Sequence, residues 1–66
     1  MISYEIRQTV NAVNSKMFIV VESYNHDYES WARQEYARYM RENPTVYFEL
    51  VKIEHNEICL EFTPWK

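Results

Sequence analysis

The sequence predicts an α+β domain of order β-β-α-β-β, a four-stranded, mainly antiparallel sheet with one helix packed on one face. Three observations predict it. The stretch from Asp27 to Asn43 carries apolar side chains at intervals of three and four, the period of an amphipathic helix. On each side of it lie two segments rich in β-branched and aromatic residues, 3–10 with 16–24 and 45–53 with 57–63. Asn43-Pro44 then ends the periodic stretch, because proline disfavours the α conformation in the residue before it and cannot donate the next backbone hydrogen bond.

In the helix, Tyr28, Trp31, Ala32, Tyr36, Tyr39 and Met40 form the stripe expected to face the core, and Arg33, Gln34, Ala37, Arg38 and Arg41 fall on the other side. Asp27 or Asn25 is expected to cap the start through a side-chain oxygen. Asp27 and Glu29 suit the positive N-terminal end, and Arg38 and Arg41 complement the other.

The first strand sets Tyr4, Ile6 and Val10 against Glu5, Arg7 and Thr9, with Gln8 interrupting the apolar side. Residues 11–15, with two asparagines able to take left-handed backbone, predict a turn. The second strand is apolar on both sides, Met17, Ile19 and Val21 against Phe18 and Val20, as in a central strand or a covered edge. After the helix, Val46, Phe48 and Leu50 oppose Tyr47, Glu49 and Val51. In the last strand Ile58, Leu60 and Phe62 oppose Glu57, Cys59, Glu61 and Thr63, with His55-Asn56 as a two-residue turn between the two. Trp65 is expected to fold back over an edge of the core. A strand that follows the helix runs antiparallel to the first strand, so a fully antiparallel sheet requires the order 2-1-3-4. The rival order, 1-2-3-4, would bury the second strand beside a parallel neighbour. In the preferred order Phe18, Ile19, Val20 and Val21 lie on an edge and invite pairing with another chain.

Residues 1–66 form one domain, small enough that its stability margin is thin. A single cysteine, Cys59, excludes an internal disulfide framework and cysteine-pair zinc sites, and suits a reducing compartment. Eleven aromatic residues point to dense packing as the compensation. Glycine is absent, which excludes phosphate-cradling loops, dinucleotide fingerprints and nucleophile elbows, all of which need backbone that only glycine allows. With a net charge of −3 and no basic run, the electrostatic footprint of a general nucleic-acid binder is missing. No apolar run is long enough to cross a bilayer and no leader pattern begins the chain, so the expected location is the cytoplasm, with no membrane partner.

No residue cluster identifies a reaction, and the expectation is a chain that is not an enzyme and takes no cofactor or metal. Arg33, Arg38 and Arg41 offer a small anion-binding face, against the plainer reading of a solvated helix surface interleaved with Glu35 and Glu42. His26, His55 and Cys59 are the soft ligand candidates, with His26 expected across the domain from the other two. Glu49 and Glu61 on neighbouring strands imitate an acid–base pair but lack a cleft to separate their pKa values. The sheet face away from the helix, carrying Glu5, Arg7, Thr9, Tyr47, Glu49, Val51, Cys59 and Glu61, is the expected docking surface for a larger partner with a basic surface. Tyr47, as anchor, with Glu49, Glu57 and Glu61 are the expected contacts. The alternatives are a homodimer pairing through Phe18 to Val21, and weak nucleic-acid binding through the helix arginines.

The succession Tyr4-Glu5-Ile6-Arg7, Asn14-Ser15, an apolar strand, a Trp31-Ala32 helix and a strand from Val46 to Val51 resembles the small single-domain proteins that phages encode to disarm host defences, including anti-CRISPR proteins of sheet-plus-one-helix form. The resemblance implies stoichiometric, non-catalytic inhibition of a larger host protein or ribonucleoprotein, such as a CRISPR effector complex, in the cytoplasm of a bacterial host. Some proteins of this kind imitate DNA with carboxylate arrays, for which Glu49, Glu54, Glu57 and Glu61 would serve here. It assigns no individual contact residue.

Overall fold

A computed structural model describes residues 1–9 and 17–62. Strands β1 (Ser3–Thr9), β2 (Phe18–Asn25), β3 (Tyr47–Ile53) and β4 (Glu57–Phe62) form one sheet of order β2-β1-β3-β4, with each neighbouring pair antiparallel. Between β2 and β3 a 3₁₀ turn, His26–Tyr28, leads into the helix α1, Glu29–Glu42. The connection from β2 to β3 therefore crosses over β1, and the helix lies against β1, β2 and β3. This is the predicted order. Val10, the turn over 11–15, Lys16 and Trp65 lie outside the described residues.

The core forms where the alternation of the two central strands meets the helix stripe. Tyr4 and Ile6 of β1 and Phe48 and Leu50 of β3 pack against Ala32 and Tyr36, with Val21, Tyr24, Tyr39, Met40 and Leu60 among the half-buried residues around them. Ile6 and Leu50 are completely buried, and each burial is worth about 1.5–3 kcal/mol. The small Ala32 side chain, also fully buried, lets the helix backbone approach the sheet. The Tyr39 ring packs on Phe48 with centroids 5.5 Å apart. No helix is long and apolar enough to cross a membrane among the described residues.

Several local expectations are corrected. Tyr28 and Trp31 do not join the core stripe and are exposed, Trp31 at 56%. Tyr28 ends the 3₁₀ turn, whose three residues per turn take it out of phase with a 3.6-residue stripe, and Trp31 stands about 100° around the helix from Ala32. Neither Asn25 nor Asp27 makes a side-chain cap bond. The helix start is tied down instead by Glu29, whose Oε1 accepts from the Tyr4 hydroxyl at 3.0 Å. At the other end the Asn43 backbone N–H and side-chain amide both donate to the Tyr39 carbonyl, at 3.0 and 3.1 Å. The β3–β4 hairpin turns through three residues, 54–56, rather than two, since Ile53 pairs with Glu57.

Both outer strands carry a bulge. In β2 the register slips by one after Glu22, so Val21 is the extra residue, and Phe18 and Val20 come to lie on the sheet face away from the helix. In β4 Leu60 is the extra residue: Val51 pairs with Cys59 but Leu50 pairs with Glu61. A one-residue slip exchanges the faces of everything beyond it. Glu61 is thereby on the helix side and Phe62 on the far side, the reverse of simple alternation.

Candidate functional site

The far face of the sheet is not the open surface that the sequence suggests. Arg7, Thr9, Glu49 and Val51 are all buried there, and Glu49 is only 1% exposed. Arg7 spans the face from edge to edge. Its guanidinium lies 4.2 Å from the centre of the Phe18 ring on β2 and donates through Nη1 and Nη2 to Glu57 on β4, at 3.1 and 2.9 Å, while Nε donates to Glu5 at 2.9 Å. Such a forked pair stacked on an aromatic ring uses the geometry that distinguishes arginine from lysine.

The four expected contact residues therefore separate. Tyr47 is half-buried at the start of β3 and Glu57 is exposed, but the carboxylate of Glu57 is already held by Arg7. Glu49 is inside, between Arg7 and Phe62 in the strand register, with the Cys59 thiol 3.8 Å from its Oε2. Glu61 is on the other face, accepting from Arg33 Nη1 at 2.9 Å. Glu49 and Glu61 consequently form no carboxylate pair, and the carboxylates that a DNA mimic would present are in large part neutralised internally.

The helix arginines are engaged as well. Arg33 donates to Glu29 and Glu61, and Arg38 to Glu35 and Glu42, with its guanidinium 4.9 Å from the Tyr39 ring centre. The hydrogen bonds of Glu35 hold Arg38 firmly in its charged form. Arg41 is exposed. A phosphate would have to compete with carboxylates for two of the three cations.

His26 and His55 are not on opposite sides of the domain. Both line a shallow depression with Met1, Ile2 and Glu54, because the end of β2 and the β3–β4 turn flank the start of β1. Among the described residues no three His, Cys, Asp or Glu side chains come together as a metal site. Burial, reinforced by the charge of Glu49, raises the Cys59 thiol above its ordinary value, which leaves little thiolate at neutral pH.

Two surfaces remain that could engage a partner. One is the outer edge of β2, where Phe18, Ile19 and Val20 are all exposed, Ile19 at 64%. The other is an open cleft of about 620 Å³ at the opposite end of β2, lined by Ser3, Glu5, Ser23, Tyr24, Asn25, Tyr28 and Trp31. Burial, together with the nearby carboxylates of Glu22 and Glu35, pushes the Tyr24 phenol up to about 12, so it stays neutral. The β2 edge was legible in the apolar run of the sequence. The cleft was not, because Tyr28 and Trp31 read as core residues on periodicity alone.

No protein-family model matches the chain, and comparison with curated proteins and with solved structures gave no significant match.

Proposed function

We propose that the chain is a non-catalytic protein-binding module whose docking element is the outer edge of β2, to which an extended segment of a larger partner adds as a further strand. The observation that carries this reading is the run of exposed apolar residues Phe18, Ile19 and Val20 on a strand that, among the described residues, has no neighbour on its outer side. An unpaired edge offers a ladder of backbone donors and acceptors, and alternate apolar side chains supply the contact area. Tyr47 on β3 and Glu57 on β4 lie on the other side of β1 from that edge, and Glu49 is too deeply buried to touch a partner. The net charge of −3 favours a partner whose surface is basic. Action as a phage-type inhibitor of a host-defence protein or ribonucleoprotein rests on the resemblance in size and element order.

Selection of short random peptides against the chain tests the reading. The expected result is enriched peptides that shift the backbone amide signals of Phe18 to Val20 and no longer bind the Ile19→Lys variant. Peptides that bind that variant equally well, or no enrichment at all, would overturn it. The same edge also supports a second reading, in which the added strand comes from another copy of this chain. Sedimentation that shows a dimer, abolished by Ile19→Lys, would establish the homodimer in its place.

A further inference from the structure

On the helix side of the molecule the carboxylates of Glu29 and Glu61 accept from Arg33, and those of Glu35 and Glu42 accept from Arg38. Glu22 on β2 differs. It is half-buried, its Oε1 accepts from the Tyr39 hydroxyl at 3.2 Å, and among the described residues no cation pairs with it. The strand register sets Glu22 opposite Ile6, with Ile19 opposite Gln8 and Tyr24 opposite Tyr4, all on the side that carries the helix. The charges of Glu22 and Glu35 both bear on the Tyr24 phenol there. Arg38 faces the same group, 4.9 Å from the Tyr39 ring centre, but Glu35 and Glu42 share it. Glu22, Glu35, Glu42 and Arg38 together therefore carry a net negative charge. A pair formed with a partly buried carboxylate is screened less by salt than one in open water.

We propose that the partner segment adding to β2 carries a basic side chain, lysine or arginine, that pairs with Glu22 on the helix side of the sheet, an inference that rests on the reading of the β2 edge as a docking element. Side chains of neighbouring strands on one side of a sheet meet directly, and an opposite-charge pair there is favourable. β1 meets Ile19, Glu22 and Tyr24 with Gln8, Ile6 and Tyr4, each two residues apart, because the bulge at Val21 absorbs the extra residue. A regular strand on the outer edge of β2 meets the same three side chains at the same spacing, whichever way it runs. Its residue beside Ile19 is then apolar, and the residue two positions along is basic. On the far side of the sheet the same segment presents apolar residues to Phe18 and Val20. An acidic residue opposite Glu22 would meet its own sign, so this position selects among strands that the apolar run alone would accept.

Parallel selection of random peptides against the full chain and against its Glu22→Gln variant tests this, since glutamine keeps an oxygen for the Tyr39 hydroxyl and removes only the charge. Against the wild type, peptides that shift the Phe18 to Val20 amides should be enriched in lysine or arginine two positions from an apolar residue. Their shifts should extend to Glu22 and Tyr24. Replacing that basic residue by glutamine should weaken binding about three- to fivefold. Glu22→Gln should abolish the difference between the two peptides. The Glu22→Lys variant, its fold checked by circular dichroism, should enrich aspartate or glutamate at the same position instead. Edge-binding peptides with no basic preference, or with the same preference against wild type and Glu22→Gln, would overturn the inference and leave strand addition standing. Basic peptides that shift Glu22 and Tyr24 but not Phe18 to Val20 would keep the Glu22 contact and remove strand addition. No enrichment against either protein would remove both.

Discussion

The two edges of the sheet solve the same problem differently. Along β4, Glu57 and Glu61 flank Ile58 to Leu60, so any strand approaching that edge meets charged side chains within every few residues. Along β2 the first half, Phe18 to Val20, has no charge at all and is exposed; Glu22 follows only after the bulge. Both strands carry a one-residue bulge, a device that locally increases twist and discourages regular pairing. With that device common to both, charge is the variable that separates them. One edge carries carboxylates on both sides of its apolar run, and the other carries none in its first half.

The comparison can be broken most severely from the centre. Leu50→Ala should cost about 2–5 kcal/mol, against a margin of roughly 3–5 kcal/mol for a lone core of this size. Far-UV circular dichroism should show the variant largely unfolded at room temperature. A variant that retains a cooperative transition close to wild type would mean that the central strands are not what holds the two edges together.

Arg7 is the next lever, because it touches both edges through Phe18 and Glu57. Its replacement by alanine removes a forked charge-assisted pair and leaves the partly buried Glu5 without its cation, for an expected loss of about 2 kcal/mol in urea denaturation. Hydrogen exchange should speed up in β2 and in β4 alike. Faster exchange in one strand only would show that the arginine serves a single edge.

The edges themselves can be exchanged in character. Ile19→Lys should change folding stability by no more than about 0.5 kcal/mol, since the side chain is exposed, while removing whatever self-association light scattering detects in the wild type. The double variant Glu57→Gln, Glu61→Gln should do the opposite and make β4 the more adhesive edge. If neither substitution alters association, charge is not what distinguishes the two strands.

The smallest effect concerns pH. Hydrogen bonds and charge from Arg7 hold the Glu57 carboxyl below its ordinary value of 4.5. A group depressed in the folded state contributes stability that is present above its unfolded pKa and lost as pH falls through the folded one. The denaturation midpoint should therefore decline below about pH 4.5, and Arg7→Ala should show a smaller decline over the same window. The contribution is modest because Glu57 is largely in water. An identical acid profile in the two proteins would contradict this account of the pair.

The helix, the four strands and the strand order were all legible in the sequence, because each depends on local periodicity or on connectivity. Ala32, Tyr36, Tyr39 and Met40 recur at helical spacing; Tyr4 and Ile6, and Phe48 and Leu50, alternate; and a strand after a helix that lies antiparallel to β1 leaves β2 at the edge. The face on which each charged residue ends up was not legible. A single extra residue, Leu60, carries Glu61 to the helix side and Phe62 to the far side, and nothing in the pattern of residues 57–62 marks where the slip occurs. The burial of Glu49 and the exposure of Trp31 likewise depend on what lies across from them in space. Periodicity specifies which elements form, since it is a property of neighbours along the chain. Register and charge pairing belong to neighbours in space, and only the tertiary structure decides them.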